Sequence, residues 1–331
     1  MSNAAVVFQS EYLGELQPYD FEEEALIKYG ATLRVGRPGS SEELAADAAG
    51  AGVLWVEWGP PVTSEVLQAL PQCELVVRWG VGYDQIDVEA ATSLGIAVAN
   101  CPSYCTSTVA EHAIALLLAV TRRVAQRDRT IRAGQFDGSG WGCETIGGRT
   151  LGVVGTGRIG RRVAGLGQAF GCRVLGHDVD PTIAPAGVEM VGLRDLLEQS
   201  DFVSLHVPLS ASSHHLMDTQ RLAWMKPGAV LVNTSRGPVV DEAALASALE
   251  SGALSGAGLD VFEVEPLPVA SPLLNLGTVV MTPHEASSSP ASLTNLRAEM
   301  CSTTASWLAT GWADAVVNPA VRDRRRWRGS R

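Results

Sequence analysis

The chain has 331 residues, 46% of them hydrophobic and 18% charged, with 34 glycines; this excludes a disordered or fibrous protein and suits two α/β domains of ordinary size. A formal charge of −11 opposes general binding to nucleic acid. The longest apolar run, Ala113 to Val120, has eight residues where a bilayer span needs about 20; with no basic and apolar leader at the N-terminus, no membrane role is expected and the cytoplasm is the expected compartment.

In chain order, β-rich runs are predicted at Ala4–Phe8, Gly52–Trp55, Glu74–Val77 and Ala97–Asn100, with a helix near Glu22–Tyr29, an alternation that suggests a parallel sheet with crossover helices. Thr108-x-x-Glu111 has the form of a capping box, predicting a helix from there to about Arg122 that joins two lobes. From Leu151 the alternation restarts. Strands are predicted at Leu151–Val154, Arg173–Gly176, Phe202–Leu205, Ala229–Val232, Ala257–Leu259 and Val279–Met281, with helices at Arg158–Phe170 and Asp241–Ser251, a second doubly wound unit. Residues 322–331 carry six arginines and one aspartate, a run expected to be a disordered tail. The six cysteines (Cys73, Cys101, Cys105, Cys143, Cys172, Cys301) form no Cys-x-x-Cys pair, so they are expected to be reduced packing residues and no metal is expected.

Gly155-Thr156-Gly157-Arg158-Ile159-Gly160 follows an apolar strand and opens a helix, the setting in which a glycine pattern marks a dinucleotide site. Gly155 permits the tight turn, Gly157 lets backbone approach a pyrophosphate, and Gly160 lets helix and strand pack closely. The N–H groups around Arg158 and Ile159 then face the anion. Asp178 stands 18 residues after Gly160, where a carboxylate accepts hydrogen bonds from ribose hydroxyls and repels a 2′-phosphate, predicting NAD over NADP.

Three further segments follow or close strands: Asn233-Thr234-Ser235-Arg236-Gly237-Pro238-Val239-Val240-Asp241, Leu259 to Pro268 with Glu265, and Thr282-Pro283-His284. Ligands in doubly wound sheets bind beyond the strand carboxyl ends, so Arg236, Glu265 and His284 are expected to converge. With these segments, the chain resembles the D-isomer-specific 2-hydroxyacid dehydrogenases. The resemblance runs from about Val76 to Pro283 and includes Arg78-Trp79-Gly80-Val81-Gly82-Tyr83-Asp84, Asn100-x-Pro102, Val109-Ala110-Glu111-His112-Ala113 and Leu205-His206-Val207-Pro208-Leu209.

The resemblance implies an α/β fold of two doubly wound parallel-sheet domains. Residues 1–104 plus 285–321 would form a flavodoxin-like substrate domain, and 105–284 a Rossmann nucleotide domain. It implies hydride transfer between NAD and C2 of a small 2-hydroxy or 2-keto acid. Arg236 would hold the carboxylate and polarise the carbonyl, and His284 would serve as acid/base, oriented by Glu265. By the same likeness, N–H groups near Val81 and Gly82 bind the substrate carboxylate and Asp260 meets the nicotinamide carboxamide; Val207 and Pro208 border the adenine, and Thr234 and Ser235 run beside the nicotinamide. Residues around Trp55–Pro60 and Arg78–Tyr83 are expected to line part of the substrate pocket, whereas His112, inside a helix, is expected to be structural.

Glu285 departs from the small apolar residues that usually follow the histidine and puts the substrate in question. A homodimer is implied, built around the helix from Thr108 and the stretch Gln135–Trp141. The alternative reading is an NAD-sensing corepressor of the same fold, which the Arg236, Glu265 and His284 set does not by itself exclude.

Overall fold

The computed structural model describes residues 5–11, 18–136, 142–180, 182 and 184–324. The chain forms two compact units, Met1–Cys105 with Ser289–Arg331, and Thr106–Ser288. The first begins with β1 (Ala5–Ser10), α1 (Asp20–Ile27), β2 (Ala31–Gly36), α2 (Ser41–Asp47), β3 (Val53–Val56), α3 (Ser64–Ala69), β4 (Leu75–Arg78), α4 (Val88–Ser93) and β5 (Ala97–Ala99). All its strand pairs are parallel, in the order β2-β1-β3-β4-β5. β3, β4 and β5 are buried along their whole length, so they read as continuous apolar runs, as strands covered on both faces must. Local chemistry starts the short helices: Ser40, Thr63 and Asp87 each accept a backbone N–H three residues on.

The second unit holds α5 (Thr106–Thr121), α6 (Val124–Arg132), β6 (Thr150–Val154), α7 (Arg158–Ala169), β7 (Arg173–His177), β8 (Glu189–Met190), α8 (Leu193–Gln199), β9 (Phe202–Leu205), α9 (Thr219–Trp224), β10 (Ala229–Asn233), α10 (Glu242–Glu250), β11 (Leu254–Leu259) and β12 (Val279–Met281). Its sheet is also parallel throughout, ordered β12-β11-β10-β9-β6-β7-β8. That is the Rossmann order with one strand added, and it reverses between β6 and β9. Two glycines of β11 let α5 lie close: a Cβ on Gly256 would meet Val120 at 2.6 Å and one on Gly258 would meet Leu116 at 2.8 Å.

The chain then returns to the first unit through α11 (Pro290–Thr310). Trp55, fully buried on β3, donates its indole N–H to Thr304 on α11 at 2.8 Å. Arg297 reaches both oxygens of the fully buried Glu22 at 2.5 Å, and breaking such a buried pair costs about 3–5 kcal/mol. Asn318 closes the far edge, accepting the Val98 N–H at 2.8 Å.

Sequence and structure differ in places. α5 starts at Thr106, so Thr108 lies inside its first turn and is not the cap. β2, β8 and the helices α2, α3, α4, α6, α8, α9 and α11 were not predicted. Residues 285–288 group with the second unit because the Glu285 and Ala286 N–H groups donate to Asp260 of that unit. Of the basic run and the Gln135–Trp141 stretch, residues 325–331 and 137–141 lie outside the described residues. No described helix is long and apolar enough to cross a membrane. The six cysteines are free thiols, and no group of potential metal ligands occurs among the described residues.

Candidate active site

At the reversal of the second sheet, β6 runs into Gly155, whose φ of +90° suits only glycine and whose Cβ would lie 2.6 Å from the His206 carbonyl oxygen. A Cβ on Gly160 would lie 1.9 Å from the Gly155 carbonyl oxygen, so the first turn of α7 is pressed against the loop. Gly157, the N-cap, is different. A Cβ there meets nothing within 4 Å, and no side chain caps the helix. The uncapped N–H groups, with the exposed Arg158 and half-buried Ile159 on the first turn, therefore face open space that a pyrophosphate fits.

Asp178 follows β7 directly. Its Oδ2 accepts the Thr156 N–H at 2.7 Å, which fixes the carboxylate beside the glycine loop. Val207 borders the same loop, its Cγ1 3.0 Å from where a Cβ on Gly155 would lie, and Pro208 is exposed. Thr234, just beyond β10, is buried, and its Oγ1 has no hydrogen-bond partner among the described residues. An open glycine cradle, a positioned carboxylate and an orphaned hydroxyl along one set of strand ends fit an adenine dinucleotide.

The candidate reacting cluster is assembled from the segments that follow β10, β11 and β12. Asn233 ends β10 and ties the next turn, donating from Nδ2 to the Arg236 carbonyl at 2.9 Å and accepting the Ser235 N–H and hydroxyl at 3.0 and 2.8 Å. Arg236 lies just before Gly237, where a Cβ would fall 1.8 Å from the Phe262 carbonyl oxygen. Only glycine lets this turn touch the loop after β11. That loop carries Glu265, whose Oε1 accepts the Phe262 N–H at 2.9 Å and whose Oε2 lies 2.7 Å from His284 Nδ1.

His284 takes a left-handed φ of +54°, held by its N–H donating to the Asp260 carbonyl at 2.8 Å. The Asp260 carboxylate, 1% exposed, anchors the same loop: Oδ1 accepts from the Thr282 hydroxyl at 2.6 Å and the Glu285 N–H at 2.9 Å, and Oδ2 accepts the Ala286 N–H at 2.9 Å. His112 on α5 completes the chain, its Nε2 2.9 Å from the Thr282 hydroxyl. Glu285 itself is exposed.

Burial pushes the Glu265 carboxyl upward, but the His284 and Phe262 hydrogen bonds and the charges of His284 and Arg236 outweigh it and hold the group below its ordinary range. Glu265 is therefore a carboxylate acceptor at neutral pH, and Arg236 is close enough to act on it. Nearby, burial holds His206 neutral by lowering its pKa.

Arg236, Glu265 and His284 thus meet within the second unit. Val81 and Gly82 belong to the first, on the loop after β4, where Asn100 Nδ2 donates to the Val81 carbonyl at 2.7 Å. Gly237, Asn233 and Thr282 were missed as organisers of the site. Gly237 had one sequence signal, its place directly after the arginine; the others show only through partners distant along the chain.

Residues 114–286 match the family described as D-isomer specific 2-hydroxyacid dehydrogenase, NAD binding domain. The chain is 48% identical over 236 residues to a glyoxylate reductase of Korarchaeum cryptofilum, covering 69% of this chain and 71% of that protein. It is 45% identical over 239 residues to a D-3-phosphoglycerate dehydrogenase of Mycobacterium leprae, covering 71% of this chain but 45% of that longer protein. Among solved structures, a glyoxylate reductase from Paecilomyes thermophila superimposes with a TM-score of 0.87 at 31% identity, covering 96% of this chain and 99% of that one. The corepressor alternative finds no support in these relatives, which are named as reductases and dehydrogenases.

Proposed function

The chain belongs to the D-isomer specific 2-hydroxyacid dehydrogenases, NAD-dependent oxidoreductases, and on that premise we propose that Arg236, Glu265 and His284 carry the interconversion of a small 2-oxo acid and its D-2-hydroxy acid. The observation that carries this reading is the 2.7 Å contact between Glu265 and His284, with the Arg236 charge acting on the same carboxylate. When bound, the nicotinamide supplies hydride to C2 in reduction and accepts it in oxidation. Negative charge then grows on the carbonyl oxygen and has to be neutralised.

Arg236 holds the substrate carboxylate in its planar fork and polarises the carbonyl. His284 gives its proton to the new alkoxide in reduction and takes it back in oxidation, through Nε2, the ring nitrogen turned away from Glu265. Glu265 fixes the tautomer and stabilises the imidazolium. Backbone N–H groups of Val81 and Gly82 bind the substrate carboxylate. Gly155, Gly157, Arg158, Ile159 and Gly160 hold the pyrophosphate, Val207 and Pro208 border the adenine, and Thr234, Ser235 and Asp260 meet the nicotinamide. Asp178 binds the ribose and favours NADH over NADPH by repelling a 2′-phosphate. The protein works as a homodimer in the cytoplasm.

The test is steady-state oxidation of NADH with a panel of small 2-oxo acids. His284→Ala and Arg236→Ala are each expected to lose at least about 100-fold in kcat while still binding NADH. Turnover undiminished in either variant removes that residue from the proposed roles, and equal kcat/KM with NADPH removes the role of Asp178.

A further inference from the structure

Arg236 and Glu265 are carried by two loops, those after β10 and β11, and the proposed reaction needs them at a fixed separation. Gly237 sets how near the loops can come: a Cβ there would fall 1.8 Å from the Phe262 carbonyl oxygen and 2.5 Å from the Glu263 nitrogen. A missing side chain permits approach but supplies no attraction. Further along, Glu242 and Glu263 exchange long hydrogen bonds. The Glu242 N–H donates to Glu263 Oε2 at 3.4 Å and the Glu263 N–H to Glu242 Oε2 at 3.3 Å, which also brings two like charges into one place.

His215 spans the same two loops. Its backbone N–H donates to the Pro238 carbonyl at 2.8 Å, and the stretch that follows stays in register on the Arg236 loop: the Met217 N–H donates to the Val239 carbonyl at 3.0 Å and the Asp241 N–H to the Met217 carbonyl at 3.1 Å. Its ring reaches the other loop, where Nε2 hydrogen-bonds Glu263 Oε1. A carboxylate only accepts, so Nε2 carries the proton. One residue thus bonds the Arg236 loop through its backbone, two residues past the arginine, and the Glu265 loop through its ring, two residues before the glutamate. His215 holds a left-handed φ of +48° to do so, a conformation that persists only where the surroundings impose it. His214 stacks on the ring with centroids 4.1 Å apart and limits its rotation. The two side chains are 37% and 30% exposed, and a pair so open to water adds little to stability. Stability therefore does not account for the strained backbone.

We propose that His215 is a positioning residue for the reaction, its backbone and ring together drawing the Arg236 loop onto the Glu265 loop. This rests on the dehydrogenase reading above. Without the ring bond the loops part, and Arg236 moves away from the carbonyl it polarises. The glycine loop after β6, which holds the cofactor, is untouched.

The experiment compares the wild type, His215→Ala, Glu263→Ala, the double variant and His215→Gln in the NADH-dependent reduction of glyoxylate and hydroxypyruvate, with the Kd for NADH and Tm measured on the same samples. His215→Ala and Glu263→Ala are each expected to lower kcat/KM about 10- to 100-fold, as a displacement of about 1 Å does. The loss should be shared between a lower kcat and a higher KM for the acid, because the arginine both polarises and binds, while the Kd for NADH stays the same. The double variant should lose no more than either single one, since both break one bond. His215→Gln, whose Nε2 can still donate to Glu263, should restore most of the activity. Wild-type kinetics in a folded His215→Ala or Glu263→Ala overturns the proposal and leaves the dehydrogenase reading standing. A loss confined to Tm, losses that add in the double variant, or a glutamine variant as impaired as the alanine one overturn it too. If His215→Ala does not fold, Glu263→Ala decides, because it breaks the same bond from the other loop. Turnover of neither acid by a wild type that binds NADH removes the dehydrogenase reading, and this proposal with it.

Discussion

Alanine substitutions at two glycines three residues apart separate the needs of the fold from those of the cofactor. Alanine at Gly160 puts a methyl group 1.9 Å from the Gly155 carbonyl oxygen, against an ordinary contact of 3.4 Å or more. The first turn of α7 and the loop before it must then part by about 1.5 Å, an overpacking that costs about 1–3 kcal/mol. At Gly157 the φ of −63° is ordinary for an L-residue and the added methyl meets no protein atom within 4 Å. Stability should stay within about 0.5 kcal/mol of the wild type. The methyl nevertheless occupies the space assigned to the pyrophosphate, and losing about 1.4–2.8 kcal/mol there raises the Kd for NADH about 10- to 100-fold. Thermal unfolding and calorimetric titration with NADH measure the two effects on the same samples. Gly157→Ala binding NADH like the wild type would show that the pyrophosphate does not lie over this residue. Gly160→Ala with an unchanged Tm would refute the close helix–loop packing.

Two further predictions concern the reacting cluster. Gly237→Ala drives a methyl into the Phe262 carbonyl, 1.8 Å away, and so moves Arg236 away from the Glu265 loop; a displacement of about 1 Å lowers kcat/KM about 100-fold, and wild-type kinetics in a folded variant would sink the idea that this contact positions the arginine. Glu265→Gln removes a carboxylate whose pKa is depressed in the folded state. The stabilisation it supplies is fully present above the unfolded value of about 4.3 and is lost as pH falls through the lower folded value. The Tm difference between wild type and Glu265→Gln should therefore be largest near neutrality and vanish in acid; a difference independent of pH would mean that charge is not what Glu265 contributes.

Much of the second sheet was legible because its strands are buried on both faces and its glycines report backbone needs locally. Phe202–Leu205 and Val279–Met281 have the predicted bounds, and Gly155 and Gly160 have the steric reasons that the motif implied. The longest helix, α11, was not legible. It buries Ser292, Thr303 and Thr304 along with Met300 and Trp307, so no apolar stripe of helical period marks it. Its polar residues are core residues because partners elsewhere satisfy them, as Trp55 does for Thr304. β2 was hidden for the opposite reason: most of it is partly or fully exposed, as an edge strand tolerates.

The same division runs through the active site. Glu265 and His284 could be expected to meet because each closes a strand of one parallel sheet, and parallel strands bring their carboxyl ends to a common edge whatever their separation in sequence. Which atoms hold them there is a different kind of information. Besides the nicotinamide role proposed for it, Asp260 gathers the Thr282 hydroxyl and the N–H groups of Glu285 and Ala286 with its carboxylate, and His112 reaches the same hydroxyl from α5. A histidine held at a left-handed φ has to be restrained by its surroundings, and a buried carboxylate with three donors supplies that restraint. The position of His284, the proposed acid/base, thus depends on a residue that need not touch the reacting atoms, a dependence that no spacing in the sequence expresses.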